Sequence, residues 1–140
     1  MLDLTPFLLF DGNCAEAMQF YQSCFGGELI LTRLADTPMK AQFPLDQHQK
    51  ITHGSLKSGR IEIAATDWLH PTRRPLQGNT TAIYVTGAGY DELSPIFEKL
   101  RKGAEPKLLV ELREVPFGIY GRLTDRYGVE WFFRGEQATS

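Results

Sequence analysis

The chain has few of the features that announce a function outright. Cysteine is scarce: Cys14 and Cys24 are the only two in 140 residues. They stand ten positions apart on one predicted helix, about 15 Å by helical rise, so they cannot bridge within it. No apolar run approaches 18 residues, and no basic-then-apolar leader occupies Met1 to Phe10. A membrane span and a secretory signal therefore both lack support, and a reduced cytoplasmic setting is the expectation. Charge of one sign is missing as well. The net charge is -2 with Lys and Arg scattered along the chain, which leaves no basic stripe for nucleic acid. G-x-S-x-G, G-x-x-x-x-G-K and H-E-x-x-H are all absent, so the serine hydrolase, P-loop and zincin chemistries have no foothold.

What the sequence does contain is a duplication. Asn13 to Gly27 is an amphipathic helix closing on a glycine pair, and Gly89 to Ala104 is the same device; Phe20 matches Phe97 and Gly26 matches Gly103 at an offset of 77. Each helix is followed by a strand-turn-strand stretch, from His53 and from Tyr120, in which Gly54 matches Gly121 and Leu56 matches Leu123 at an offset of 67. The drop of about ten implies an insertion in the first copy near Leu34 to Lys50. A copy of about 65 residues could scarcely bury a core alone, whereas 140 residues can. The chain therefore reads as one domain, 1–140, with module one over about 1–68, a linker over about 69–79 and module two over about 80–136.

The elements follow from periodicity and turn chemistry. Thr5 to Phe10 is a strand stopped by Asp11-Gly12-Asn13. Asn13 is expected to cap the first helix, with Glu16 as the capping-box carboxylate and Ala17, Phe20, Tyr21, Cys24 and Phe25 on the buried face. Glu28 to Leu34 is a strand. Thr37 to Lys50, with two prolines and no period, is a loop of the length used for lids and binding elements. Ile51 to Lys57 and Arg60 to Asp67 form a hairpin around Ser58-Gly59. Thr80 to Thr86 is the fifth strand, and the Gly87-Ala88-Gly89 that follows is a turn rather than a dinucleotide loop, since the βαβ repeat is lacking. Asp91 to Lys102 is the second helix, burying Leu93, Ile96, Phe97 and Leu100, with Pro95 tolerated in its first turn. Lys107 to Glu114, Gly118 to Thr124 and Val129 to Arg134 are the remaining strands. The fold class is α+β: two βαβββ modules forming a curved mixed sheet around a concave cleft, with helices on one side and the other side open to a ligand.

LTPFLLFDGNCAEAMQFYQSCFGGEL, ITHGSLKSGRIEIAATD and FGIYGRLTDRYGVEWFF, in that order and spread from Leu4 to Phe133, resemble the vicinal oxygen chelate superfamily of glyoxalases, bleomycin-resistance proteins and extradiol dioxygenases. The likeness is to its PhnB-like branch. The usual D-P-x-G turn is Asp125-Arg126-Tyr127-Gly128 here, without the proline. The resemblance implies a homodimer and, in the family's enzymes, a divalent metal held by His and Glu on the first and last strands of each module. Carried over, those positions fall on Pro6, Ala64, Thr80 and Phe132, to within one or two residues. Three of these side chains have no lone pair to offer, and a threonine hydroxyl is a poor ligand for zinc or iron. Neither a family-type metal centre nor any other cofactor is expected.

The remaining candidates come from strand alternation. Glu62 shares a face with Ala64, and Glu130 with Phe132, so both carboxylates are catalytic candidates, with His53 at the start of its strand as a third polar group. Phe132 and Tyr84 are expected to wall the cleft, with Trp68 and Tyr120 near its mouth and Arg122 and Arg134 as cations for an anionic ligand. Trp131 and Phe133 alternate onto the helix side and belong to the core. His48 and His70 read as surface residues. Cys14 reads first as a small residue filling a gap between helix and sheet, and second as a thiol activated by the helix N-terminus. Three functions remain open: a metal-independent small-molecule binder; a lyase, isomerase or transferase using Glu62 or Glu130 as general base, with or without a divalent metal; and an assembly protein whose main act is pairing. The methyltransferase label attached to PhnB-like sequences finds no glycine-rich S-adenosylmethionine loop here.

Overall fold

Asp11-Gly12-Asn13 ends β1 (Phe7–Phe10) and turns the chain into α1 (Cys14–Phe25), which buries Cys14, Ala17, Met18, Tyr21 and Cys24 along one stripe. Gly26 and Gly27, both at positive φ, stop the helix. At Gly27 a Cβ would collide with the Lys57 carbonyl, so only glycine lets β2 (Glu28–Arg33) start this close to β3 (Ile51–Ser58). β4 (Ile61–Asp67) closes the sheet. The computed structural model describes residues 1–70 and 73–136, and the chain divides into two compact units, Met1–Leu76 and Gln77–Ser140.

The second unit repeats the plan with β5 (Ile83–Gly87), α2 (Tyr90–Leu100), β6 (Val110–Val115), β7 (Gly118–Thr124) and β8 (Glu130–Gly135). The strand orders are β1-β4-β3-β2 and β5-β8-β7-β6. In each sheet the first strand runs parallel to the last, and the other pairs are antiparallel. These are the two α+β modules that the duplication predicts.

In each unit one sheet face is sealed by its helix. Phe10, Ile51, Leu56, Ile63 and Ala65 are buried in the first unit. In the second, Leu93, Phe97 and Leu100 of α2 are buried along with Leu112, Ile119, Leu123, Trp131 and Phe133 of the sheet, and the Phe97 and Phe133 rings meet edge to face at 5.2 Å. Each large side chain so buried contributes about 1.5–3 kcal/mol.

Several local expectations are corrected. Asn13 occupies the N-cap position of α1 but makes no side-chain cap bond. The capping carboxylate comes instead from the end of β4: Asp67 Oδ1 accepts from Gly12 N and Cys14 N, both at 2.9 Å, and Oδ2 accepts from Ile51 N at 2.8 Å. A buried carboxylate outcompetes Asn13 because it faces the positive end of the helix and satisfies three donors at once. Pro95 lies in the second turn of α2, since that helix begins at Tyr90. The helix therefore loses the bond to the Asp91 carbonyl, on an exposed side that water can reach. β1 and β5 start later than the apolar runs suggest, at Phe7 and Ile83.

The 34–50 segment holds three short 3-10 turns, Leu34–Asp36, Pro38–Gln42 and Leu45–Gln47. Its ends are clipped by Leu34 N to Lys50 O and Ala35 N to His48 O, each 2.8 Å. His48 is half-buried and helps tie this segment together. Its Nε2 lies 2.9 Å from the Lys40 carbonyl and 3.1 Å from that of Phe43; both partners only accept, so Nε2 carries the proton. The matching β6–β7 connection is Pro116-Phe117 alone, while the second unit carries its own extra stretch, 101–109, between α2 and β6. The offset of ten is thus the net of two insertions in different places.

Candidate functional site

Alternation along β7 and β8 sorts the second sheet cleanly. Ile119, Leu123, Trp131 and Phe133 are buried on the helix side, which turns Tyr120, Arg122, Thr124, Glu130, Phe132 and Arg134 to the opposite face. Register then makes neighbours of them: Phe132 lies between Tyr84 and Arg122, Tyr120 between Arg134 and Arg113, and Thr124 beside Glu130. The Tyr120 ring stands edge-on to Phe132 at 6.3 Å and to Phe117 at 6.1 Å. Two guanidinium groups lie over this aromatic row, Arg122 at 5.9 Å from the Phe132 centroid and Arg134 at 4.9 Å from Phe117. At exposed positions such contacts are worth about 0.5–1 kcal/mol each, enough to bias where a guanidinium sits. Glu130 accepts the Thr124 hydroxyl at 2.8 Å. The face thus offers flat apolar surface flanked by fixed cations, with one oriented carboxylate at its edge.

Six of the sequence candidates, Tyr84, Tyr120, Arg122, Glu130, Phe132 and Arg134, come together there. Phe117 and Arg113 join them without having been singled out. Phe117 stood between a proline and a glycine in a turn, where an exposed aromatic has no core to serve, and that was a readable signal.

His53, Glu62 and Trp68 belong to the first unit and do not form one cluster. Glu62 pairs across the sheet with Lys57, which pairs in turn with Glu28. His53 is the third residue of β3, not its first, and is exposed opposite Thr32. It stands four residues along the strand from Lys57, about 13 Å away. Trp68 follows β4, donates its backbone N–H to the Phe10 carbonyl at 2.6 Å, and holds a buried indole Nε1 that has no acceptor among the described residues.

The chelating positions shift by register. Phe7, not Pro6, is the partner of Ala64, and Tyr84, not Thr80, is the partner of Phe132. Thr80 precedes β5. Neither set supplies an imidazole or a carboxylate, and among the described residues no three His, Cys, Asp or Glu side chains are grouped to hold an ion. The residues present do not fit the superfamily's metal. Cys14 is fully buried, and desolvation together with the neighbouring Asp67 charge pushes its thiol up to about 12. That overturns the activated-thiol reading: the helix N-terminus is already occupied by Asp67, whose charge opposes a thiolate.

With this geometry in hand, the chain can be set beside known proteins. Residues 2–133 match the family model described as 3-demethylubiquinone-9 3-methyltransferase. The chain belongs to that family. Among solved structures, protein PA1353 from Pseudomonas aeruginosa is similar at 29% identity and a TM-score of 0.83, with 99% of this chain and 100% of that one covered. The putative 3-demethylubiquinone-9 3-methyltransferase, PhnB protein, from Bacillus cereus follows at 25% identity and 0.69, with 95% and 98% covered. A glyoxylase/bleomycin resistance protein/dioxygenase domain from Frankia sp. shares the fold at 14% identity and 0.62, with 100% and 96% covered. These matches set the chain beside a PhnB protein and give it the fold of the glyoxylase/bleomycin resistance protein/dioxygenase domain, as the sequence motifs imply.

Proposed function

We propose that the protein binds a small molecule with a flat apolar or aromatic body and an anionic group on the open face of its second sheet, without the superfamily's metal. One observation carries the reading: the row Phe117, Tyr120, Phe132 and Tyr84 is bordered by Arg122 and Arg134 on a face that no helix of its own unit covers. Aromatic faces take a planar ligand, and a guanidinium pairs with carboxylate or phosphonate oxygens in a fixed geometry. The Glu130 carboxylate, turned toward Thr124, adds an acceptor for a ligand N–H or O–H. A few placed polar groups beside an apolar surface are what a small-molecule site requires.

Methyl transfer, which the family description names, is not carried over. Both sheets are mixed and four-stranded rather than doubly wound. The glycine-rich turn before α2 is already engaged: Ala88 N donates to Glu92 Oε1 at 2.9 Å, and the Ala88 carbonyl accepts from Glu136 N at 3.2 Å. The reading includes pairing of two copies, which superfamily resemblance supports; light scattering at micromolar concentration is expected to give twice the chain mass, and a monomer would remove that part.

The test is a thermal-shift screen of chelator-treated protein against aromatic carboxylates and phosphonates, repeated with Arg122→Ala and Phe132→Ala. A hit on the wild type that both variants lose, while keeping the wild-type melting temperature, supports the reading. Hits retained by both variants would end it.

A further inference from the structure

The 34–50 insertion creates a cavity of about 450 Å³ that lies wholly within the first unit. One wall comes from the insertion, with Phe43, Pro44, Asp46 and Lys50; the other comes from the chain after β4, with Leu69 and Arg74. The insertion wall is held by the two bonds of His48 and by the clips at Leu34 and Ala35. The volume falls within the range of small-molecule sites. The second unit, whose β6–β7 turn is two residues long, has no counterpart to this wall.

The lining carries charges of both signs around an apolar patch. Lys50 Nζ spends one donor on the Trp68 carbonyl at 3.0 Å, and an ammonium has three. Arg74 reaches Asp11 at 2.9 Å through a single nitrogen, leaving the rest of its fork unassigned by that pair. Asp46 supplies the opposite charge, and Phe43, Pro44 and Leu69 the apolar surface. Trp68 lies behind this lining rather than in it: its carbonyl holds Lys50, and its ring centroid stands 6.5 Å from that of His70.

The geometry points to a site for a free α-amino acid with an apolar side chain. Its carboxylate meets Lys50, its ammonium meets Asp46, and its side chain lies against Phe43, Pro44 and Leu69. This site stands independently of the binding face on the second sheet. A simple organic anion would leave Asp46 facing it as a like charge, and a simple amine would leave Lys50 and Arg74 so, which makes the zwitterion the preferred class.

Phenylalanine, phenylacetate and phenethylamine serve as probes, followed by ¹H–¹⁵N correlation spectra of the full chain. The two indole N–H signals separate the sites, because Trp68 adjoins Lys50 in the first unit while Trp131 belongs to the second. Phenylalanine is expected to move the Trp68 indole signal saturably while Trp131 stays still. Lys50→Met and Asp46→Asn, each checked for a native-like spectrum, are expected to weaken that binding about tenfold, and Phe132→Ala is expected to leave it unchanged. No movement of the Trp68 signal at tens of millimolar phenylalanine (roughly the weakest useful affinity), stronger binding of phenylacetate or phenethylamine, or full affinity in both pocket variants would each overturn the assignment. Movement confined to Tyr84, Arg122 and Phe132 would overturn it while leaving the second-sheet reading intact.

Discussion

The two modules share a strand order down to the parallel pair at one edge, yet they solve the same local problems with different residues. The turn into α1 is held by Asp67, delivered from the far end of the module and buried with three N–H donors. The turn into α2 is held by Glu92, one turn along the helix, with a single bond to Ala88 N. The β7–β8 turn hangs on Asp125, which takes Tyr127 N, Val129 N and the Trp131 indole, whereas Ser58 and Arg60 flank a bare Gly59 at positive φ in the corresponding β3–β4 turn. The open faces differ more still. Phe7, Ala64 and Ser55 cross the first sheet where Tyr84, Phe132 and Arg122 cross the second. The duplicated part is the scaffold that buries apolar surface, and its anchors and its chemistry have been set separately in each half.

The sharpest way to break that comparison is at Cys14, where the Asp67 anchor has a chemical consequence. Its thiol rises from 9.0 to about 12, so its thiolate population at pH 8, and its alkylation rate in the folded state, should fall about a thousandfold below those of a free thiol. The sign for stability follows. The folded state keeps the proton that the unfolded chain releases, so this contribution is lost as pH rises from about 9 toward about 12. Peptide mapping after brief alkylation checks the first point; rapid labelling of Cys14 in native protein would contradict it.

Removing the anchors comes next in size. Asp67→Ala strands up to three backbone donors and should cost about 3 kcal/mol in urea denaturation, against about 1 kcal/mol or less for Glu92→Ala. Equal losses would mean that the two anchors are equivalent after all. Asp125→Ala should fall between them, at about 2 kcal/mol, because it removes the carboxylate that the buried Trp131 indole donates to at 2.8 Å.

The faces are compared by ligand affinity. For an anion found by screening, Arg122→Ala or Phe132→Ala should weaken binding about tenfold, roughly 1.4 kcal/mol, while His53→Ala and Glu62→Gln on the first sheet should leave it unchanged. Titration calorimetry reads both, and parallel losses on the two faces would refute the separation. The smallest effect belongs to the surface pair Arg101–Glu111, bidentate at 2.6 Å but exposed on the Glu111 side. Glu111→Gln should cost about 0.5 kcal/mol and less at high salt. The Arg101 hydrogen bonds hold the Glu111 carboxyl below its ordinary range, so this small contribution is present at neutral pH and fades in acid as that carboxyl protonates.

Periodicity and turn chemistry made the scaffold legible. Ala17, Tyr21 and Cys24 on one helix, Leu93, Phe97 and Leu100 on the other, and Trp131 and Phe133 on the helix side of β8 all follow from spacings of 3.6 and 2. What spacing cannot carry is a bond between residues far apart in the chain. Asn13 looked like a cap because the competing carboxylate, Asp67, is more than fifty residues away, and Cys14 looked activatable for the same reason. Register was hidden too: β1 and β5 begin within apolar or polar runs that give no sign of where pairing starts, so Pro6 and Thr80 stood in for Phe7 and Tyr84. The aromatic and arginine face was readable through alternation, but Phe117 joins it from a turn, where alternation has no meaning.

The most direct measurement is the affinity of chelator-stripped protein for a screened aromatic carboxylate or phosphonate, taken with and without stoichiometric manganese(II). The account predicts one affinity in both conditions, lost in Phe132→Ala. Binding that appears only when the metal is added would contradict it, and would call for a donor set that Phe7, Ala64, Tyr84 and Phe132 do not provide.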